Sequence, residues 1–130
     1  MAMNLYEVNE WNSYSPTSEE MRLIHDCIFL PLTLIVIEQN RLLLDKNARS
    51  LRSVFIKAAN VIGSKIEADL AKAKGLLLRQ NIIVHNGDHR CYSYHCRGYE
   101  EQLTFSREFI LGEINARITA YTKRIFNHQT

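Results

Sequence analysis

Five side chains with metal-ligating chemistry crowd one short stretch: His85, His89, Cys91, His95 and Cys96. Imidazole and thiolate are the common protein ligands of zinc. Of these, His85, His89, Cys91 and His95 are the set that the two strands of a hairpin could gather round one ion. The spacing weighs against it. No close ligand pair is matched by a second pair at knuckle or finger distance, and strand alternation puts Cys91 and His95 on the face opposite Cys96. The simpler expectation is a half-buried hairpin in which the cysteines act as small hydrophobes and the histidines face water, with no cofactor. Asp88 and His89, beside His85, have the types for acid–base work, yet an Asp in a turn commonly bonds its own backbone. Glycine-rich dinucleotide and phosphate loops, the G-x-S-x-G elbow and the H-E-x-x-H pair are all missing from the sequence, so the expectation is a protein that is not an enzyme.

A second chemistry is phosphate binding. A long helix, the run Leu76–Val84 and a Tyr-rich return strand follow one another as in a winged helix, where helix and wing grip DNA. Arg49, Arg52, Lys57, Lys65 and Lys72 would be the helix contacts, and Arg90, Tyr94 and Arg97 the wing contacts. Two features oppose this. The helix, at about 26 residues, is long for a recognition helix that follows a tight turn. Its basic residues also fail to share one outward stripe, since Arg52 lies well away from Lys65 and Lys72. A third chemistry is protein recognition: Tyr92, Tyr94, Arg97 and Tyr99 are of the types enriched at interface hot spots. The same tyrosines could equally brace the hairpin against the helices.

These side chains need elements to hold them. Residues 1–16 read as a loose polar arm with scattered Tyr6, Trp11 and Tyr14, ending at Pro16. The rest, 17–130, reads as a single helical domain with a β-hairpin. Thr17-Ser-Glu-Glu20 has the capping-box form that starts a helix. Met21, Ile24, Cys27 and Ile28 follow at helical spacing, and a kink or short break is expected at Pro31. Residues 32–38 are β-branched enough for a strand, but no strong turn follows them, and helix to about residue 46 is favoured. Leu51, Phe55, Ala58, Ile62, Ile66, Leu70 and Ala73 step by three or four and mark a second helix from about 49 to 74, widened by Val54 and Val61. Gly75 is the expected C-cap, and Gly63 is read as permitting close helix contact. Ile82–Val84, then Asn86-Gly87, then the alternating 90–97 form the hairpin, near residues 81–97. A last helix is expected from near Tyr99, with Glu100 and Glu101 at its positive end. Its buried stripe is Ile110, Ile114, Ile118, Tyr121 and Ile125.

Two segments carry a likeness to known sequences, Leu30-Pro-Leu-Thr-Leu-Ile-Val-Ile-Glu-Gln-Asn-Arg41 and Tyr92-Ser-Tyr-His-Cys-Arg-Gly-Tyr-Glu-Glu101. Over roughly residues 20–125 the chain resembles a family of small uncharacterised cytosolic proteins of Bacillus-type Firmicutes. The resemblance implies a mostly helical fold and a bacterial cytoplasm. It implies no activity and transfers no site residue. The His and Cys enrichment of residues 85–96 departs from it, so a metal site would be particular to this chain.

Composition sets the frame. The chain has 130 residues, 46% of them hydrophobic and 23% charged, which fits one soluble globular domain. Three cysteines, an odd count, suit reduced thiols rather than a disulfide framework. The N-terminus has no secretory pattern, and the longest apolar run, Cys27–Ile37, is too short for a bilayer helix. The formal charge of +2 hides a segregation. Residues 1–40 hold one basic and six acidic side chains, residues 41–80 nine basic and three acidic. Together these features point to a mainly α protein: an antiparallel bundle of three main helices with an inserted hairpin, cytoplasmic and without a membrane partner. Residues 28–44 carry more apolar surface than two helices of so small a chain can cover, so a homodimer is expected. The expected function is that of an interaction or regulatory module. A nucleic-acid regulator is the alternative and a zinc-binding protein the second.

Overall fold

The computed structural model of the protein describes residues 15–47 and 52–128. Arg49, Leu51, the aromatic residues of the N-terminal arm and nearly all of that arm lie outside them. The elements in order are helix α1 (Ser18–Asn47), helix α2 (Arg52–Arg79), strands β1 (Ile82–Asn86), β2 (Cys91–Cys96) and β3 (Tyr99–Thr104), and helix α3 (Arg107–His128). No described helix is long and apolar enough to cross a membrane.

Helix α1 begins as its sequence dictates. The Thr17 N–H donates to Glu20 Oε1 at 2.9 Å, and the Glu20 N–H donates to Thr17 Oγ1 at 3.1 Å, a reciprocal capping box. The helix then runs through residues 32–38 and is unbroken at Pro31. Proline has no N–H to give the carbonyl four residues back. Two residues on, the buried Thr33 hydroxyl donates to the Phe29 carbonyl at 2.7 Å. Burial of Ile28, Phe29 and Leu30 favours the helical path through this turn.

Helix α2 passes the expected stop at Gly75 and ends at Arg79. Glycine costs about 1 kcal/mol against alanine in a helix, whereas burying a leucine side chain stabilises by about 1.5–3 kcal/mol. Leu77 is buried, so the helix continues to hold it in place. The cap falls instead on Asn81, whose φ of 59° is the left-handed conformation that ends helices. The Gln80 and Asn81 N–H groups bond back to the Leu77 and Leu78 carbonyls.

The hairpin is one part of a larger element: β1, β2 and β3 form an antiparallel sheet in the order β1-β2-β3. Residues 99–104, expected to open the last helix, are its third strand. Glu100 and Glu101 suit a helix N-terminus, but they suit an exposed edge strand too, and here they pair with His95 and Tyr94. Helix α3 starts after Ser106, which stands at the N-cap position. Both turns use positive φ at two central residues, as tight hairpins require. In the first these are His89 (52°) and Arg90 (64°), and in the second Arg97 (49°) and Gly98 (89°). Gly87, read as a turn centre, serves a different purpose. Its N–H donates to the Cys91 carbonyl at 2.8 Å, and a Cβ there would lie 2.7 Å from that oxygen.

The chain packs as two compact units. The first comprises the residues up to Ile28 with Lys72–Ser106, and the second comprises Phe29–Ala71 with the chain from Arg107 on. The first unit buries Ile24, Cys27, Ile28, Ala73, Leu77, Ile82, Tyr94 and Cys96. The second has a core of Leu30, Ile37, Ile62, Ile66 and Tyr121, against which Leu34, Ala59, Leu70, Ile118 and Ile125 pack. The expected stripe of α3 is thus the packed one. That of α2 holds at Ile62, Ile66, Leu70 and Ala73 and fails at its start, where Phe55 is exposed.

Candidate interaction surface

In the second unit, α1 faces the core with Leu30, Leu34 and Ile37. The opposite side of a helix lies half a turn away. There stand Ile35 and Leu42, 54% and 50% exposed, two turns apart. Leu43 extends this apolar side. Helix α2 repeats the pattern: Ala59, Ile62, Ile66 and Leu70 pack inward, and Val54 and Val61, also seven apart, are 61% and 46% exposed. Val54 and Val61 therefore form an outer face of their own and do not widen the core stripe. Each pair spans about 10.5 Å along its helix. Charges border them. Glu38 holds Arg41 at 2.6 Å, and Lys57 is exposed beside the valines.

The first unit is organised by polar chemistry. Arg97 projects from the second turn and gathers four acceptors. Its Nη2 donates to Glu20 Oε1 and to the Ser15 carbonyl, each at 3.0 Å. Its Nη1 donates to Glu20 Oε2 at 3.3 Å and to the Gln80 carbonyl at 3.1 Å. The Arg97 N–H also donates to the carbonyl of Asn81, just past the end of α2, at 2.9 Å. The bidentate guanidinium holds the Glu20 carboxyl below its ordinary range against the opposing effect of burial. One side chain thus ties the start of α1, the end of α2 and the β2–β3 turn together.

The residues singled out for protein recognition therefore separate. Arg97 is committed inside this network, and Tyr94 is buried, its hydroxyl pKa raised by that burial. Tyr92 is half-buried with its ring 6.0 Å from that of Phe105. Tyr99 is exposed and donates to Glu101 Oε2 at 2.7 Å. Sequence spacing offers no sign of Glu20 as the partner of Arg97, 77 residues away. Nor does it couple Tyr121 to Asp69, whose Oδ2 accepts from the tyrosine hydroxyl at 2.5 Å.

Of the proposed phosphate contacts, Arg52, Lys57, Lys72 and Arg90 are exposed and Lys65 is half-buried. The zinc set is not gathered as four. His89 sits in the first turn, and Cys91 lies 3.6 Å from the Thr104 hydroxyl. His85 and His95 do meet, with ring centroids 5.3 Å apart. Among the described residues no group of three or more His, Cys, Asp or Glu side chains is placed to hold a metal ion. The cysteines divide as strand alternation requires, Cys96 buried and Cys91 exposed. Burial pushes the Cys27 thiol up to about 11, so it is protonated at neutral pH.

The family model described as "YhjD protein" matches residues 15–126. No curated protein and no solved structure matches the chain.

Proposed function

The chain belongs to the YhjD family, and from that premise we propose that it is a non-enzymatic interaction or regulatory module that pairs with a second copy of itself. The observation that carries this reading is the outward pairing of Ile35 with Leu42 on α1 and of Val54 with Val61 on α2. Apolar side chains grouped on the outer face of a helix mark a contact site. The same patch presented by two copies suits an isologous two-fold interface. Within the second unit we read the helices as an antiparallel bundle, a reading supported by Leu34 of α1 lying against Gly63 of α2. The buried, protonated Cys27 is in keeping with a reducing bacterial cytoplasm.

Nucleic-acid binding through Lys57, Lys72 and Arg90 is the competing reading, and it loses Arg97 to Glu20. Salt separates the two. Light scattering should give a dimer mass that persists at high salt, since the interface is apolar. A gel shift on mixed DNA and RNA that disappears as salt rises, from a protein that stays monomeric, would favour the competitor.

A further inference from the structure

We propose that His85 and His95 form a two-histidine site for a divalent transition-metal ion on the outward face of the sheet. His85 on β1 pairs with Ser93, and His95 on β2 pairs with Ile83, so the two histidines are diagonal neighbours on one face. Their ring centroids are 5.3 Å apart and their planes 87° apart. Two imidazoles bound to one ion through nitrogens about 2.1 Å away have centroids roughly 4.6 Å apart at the right angle of an equatorial Cu²⁺ pair and roughly 5.2 Å apart at a tetrahedral angle. The strand register therefore holds the two rings near the separation that coordination needs, and rotation of the exposed His85 side chain can close the remaining gap.

Glu100 completes the arrangement. It lies opposite His95 on β3, and its Oε2 is 3.0 Å from His95 Nε2. A carboxylate at that nitrogen holds the proton there and leaves Nδ1 with its lone pair free for a metal. Carboxylates orient metal-bound histidines in this way. Glu100 is thus a positioning residue, not a ligand. With two protein ligands, water fills the remaining coordination positions. Such a site favours the ion that binds nitrogen most strongly among the divalent first-row metals, Cu²⁺.

The test is titration of the full chain with Cu²⁺ alone, followed by calorimetry and by electron paramagnetic resonance. One equivalent should bind with two nitrogens in the equatorial set. His85→Ala and His95→Ala should each weaken binding at least tenfold, and Glu100→Gln about tenfold. His89→Ala should leave it unchanged. In the unsubstituted protein, substoichiometric Cu²⁺ should broaden the His85 and His95 imidazole NMR signals together, a readout that needs no variant. Undiminished affinity in His85→Ala, loss of binding in His89→Ala instead, or no Cu²⁺ bound at all would overturn the assignment.

Discussion

The two units of the molecule are held by different physics. In the first, a guanidinium threads three chain segments through directional hydrogen bonds, and the sheet beside it turns polar residues outward. In the second, helical stripes bury Leu30, Ile37, Ile62 and Ile66, with Tyr121 and Asp69 making a polar contact beside them. The second unit also leaves apolar side chains facing out, on both α1 and α2. Polar fixation suits a surface that presents ligands at set positions. Apolar stripes on two sides of a helix suit one that docks against another helix. The difference is the ground on which we propose metal binding in the first unit and self-association in the second.

The contrast can be broken most forcefully at Ile66, which is fully buried in the second unit. Ile66→Ala should cost about 2–5 kcal/mol in urea unfolding, the range for truncating a core residue. A loss under 1 kcal/mol would mean that apolar burial does not hold this unit. Arg97→Ala should cost less, about 1.5–3 kcal/mol, the worth of hydrogen bonds to charged groups. It should also change the acid limb of stability. Glu20 titrates lower in the folded protein than its ordinary value of 4.5. Its contribution is therefore complete above the unfolded pKa and is lost as pH falls through the folded one. The gap between wild type and Arg97→Ala should be widest at neutral pH and narrow below about pH 4. A gap independent of pH would remove Glu20 from the account.

The smallest effect is a gain. A Cβ on Gly63 would sit 3.8 Å from Leu34 Cδ2, an ordinary contact. Leu34 lies beside Gly63, as the sequence reading of that glycine allows, and the contact leaves room for a Cβ. Gly63→Ala should stabilise by about 1 kcal/mol through helix propensity, read as a higher urea midpoint at unchanged slope. A loss would show that the second unit is packed more tightly at this point than an ordinary contact.

Local signals in the sequence translated well. The Thr17–Glu20 box is complete within four residues, and the α3 stripe repeats one period without interruption. Signals that compete at one position did not. Gly75 is outweighed by Leu77 two residues further on, and Glu100-Glu101 reads equally as a helix start or an edge strand. The hairpin was located, but its positive φ values fall on His89 and Arg90, types that seldom advertise a turn. The excess apolar surface of residues 28–44 was legible as a quantity. Its direction was not, because which side of a helix stays uncovered depends on partners distant in sequence. For the same reason Arg97 looked available until Glu20 occupied it.

Sedimentation velocity over a micromolar concentration series, comparing wild type with the Ile35→Glu, Leu42→Glu double variant, tests self-association most directly. Both positions are exposed, so the folded monomer should tolerate the changes within about 0.5 kcal/mol each. The wild type should sediment as twice the 15.1 kDa chain and the variant as a single chain. A wild type that remains a single chain, or a variant that dimerises as well as the wild type, would contradict the assignment of the α1 outer face as the interface.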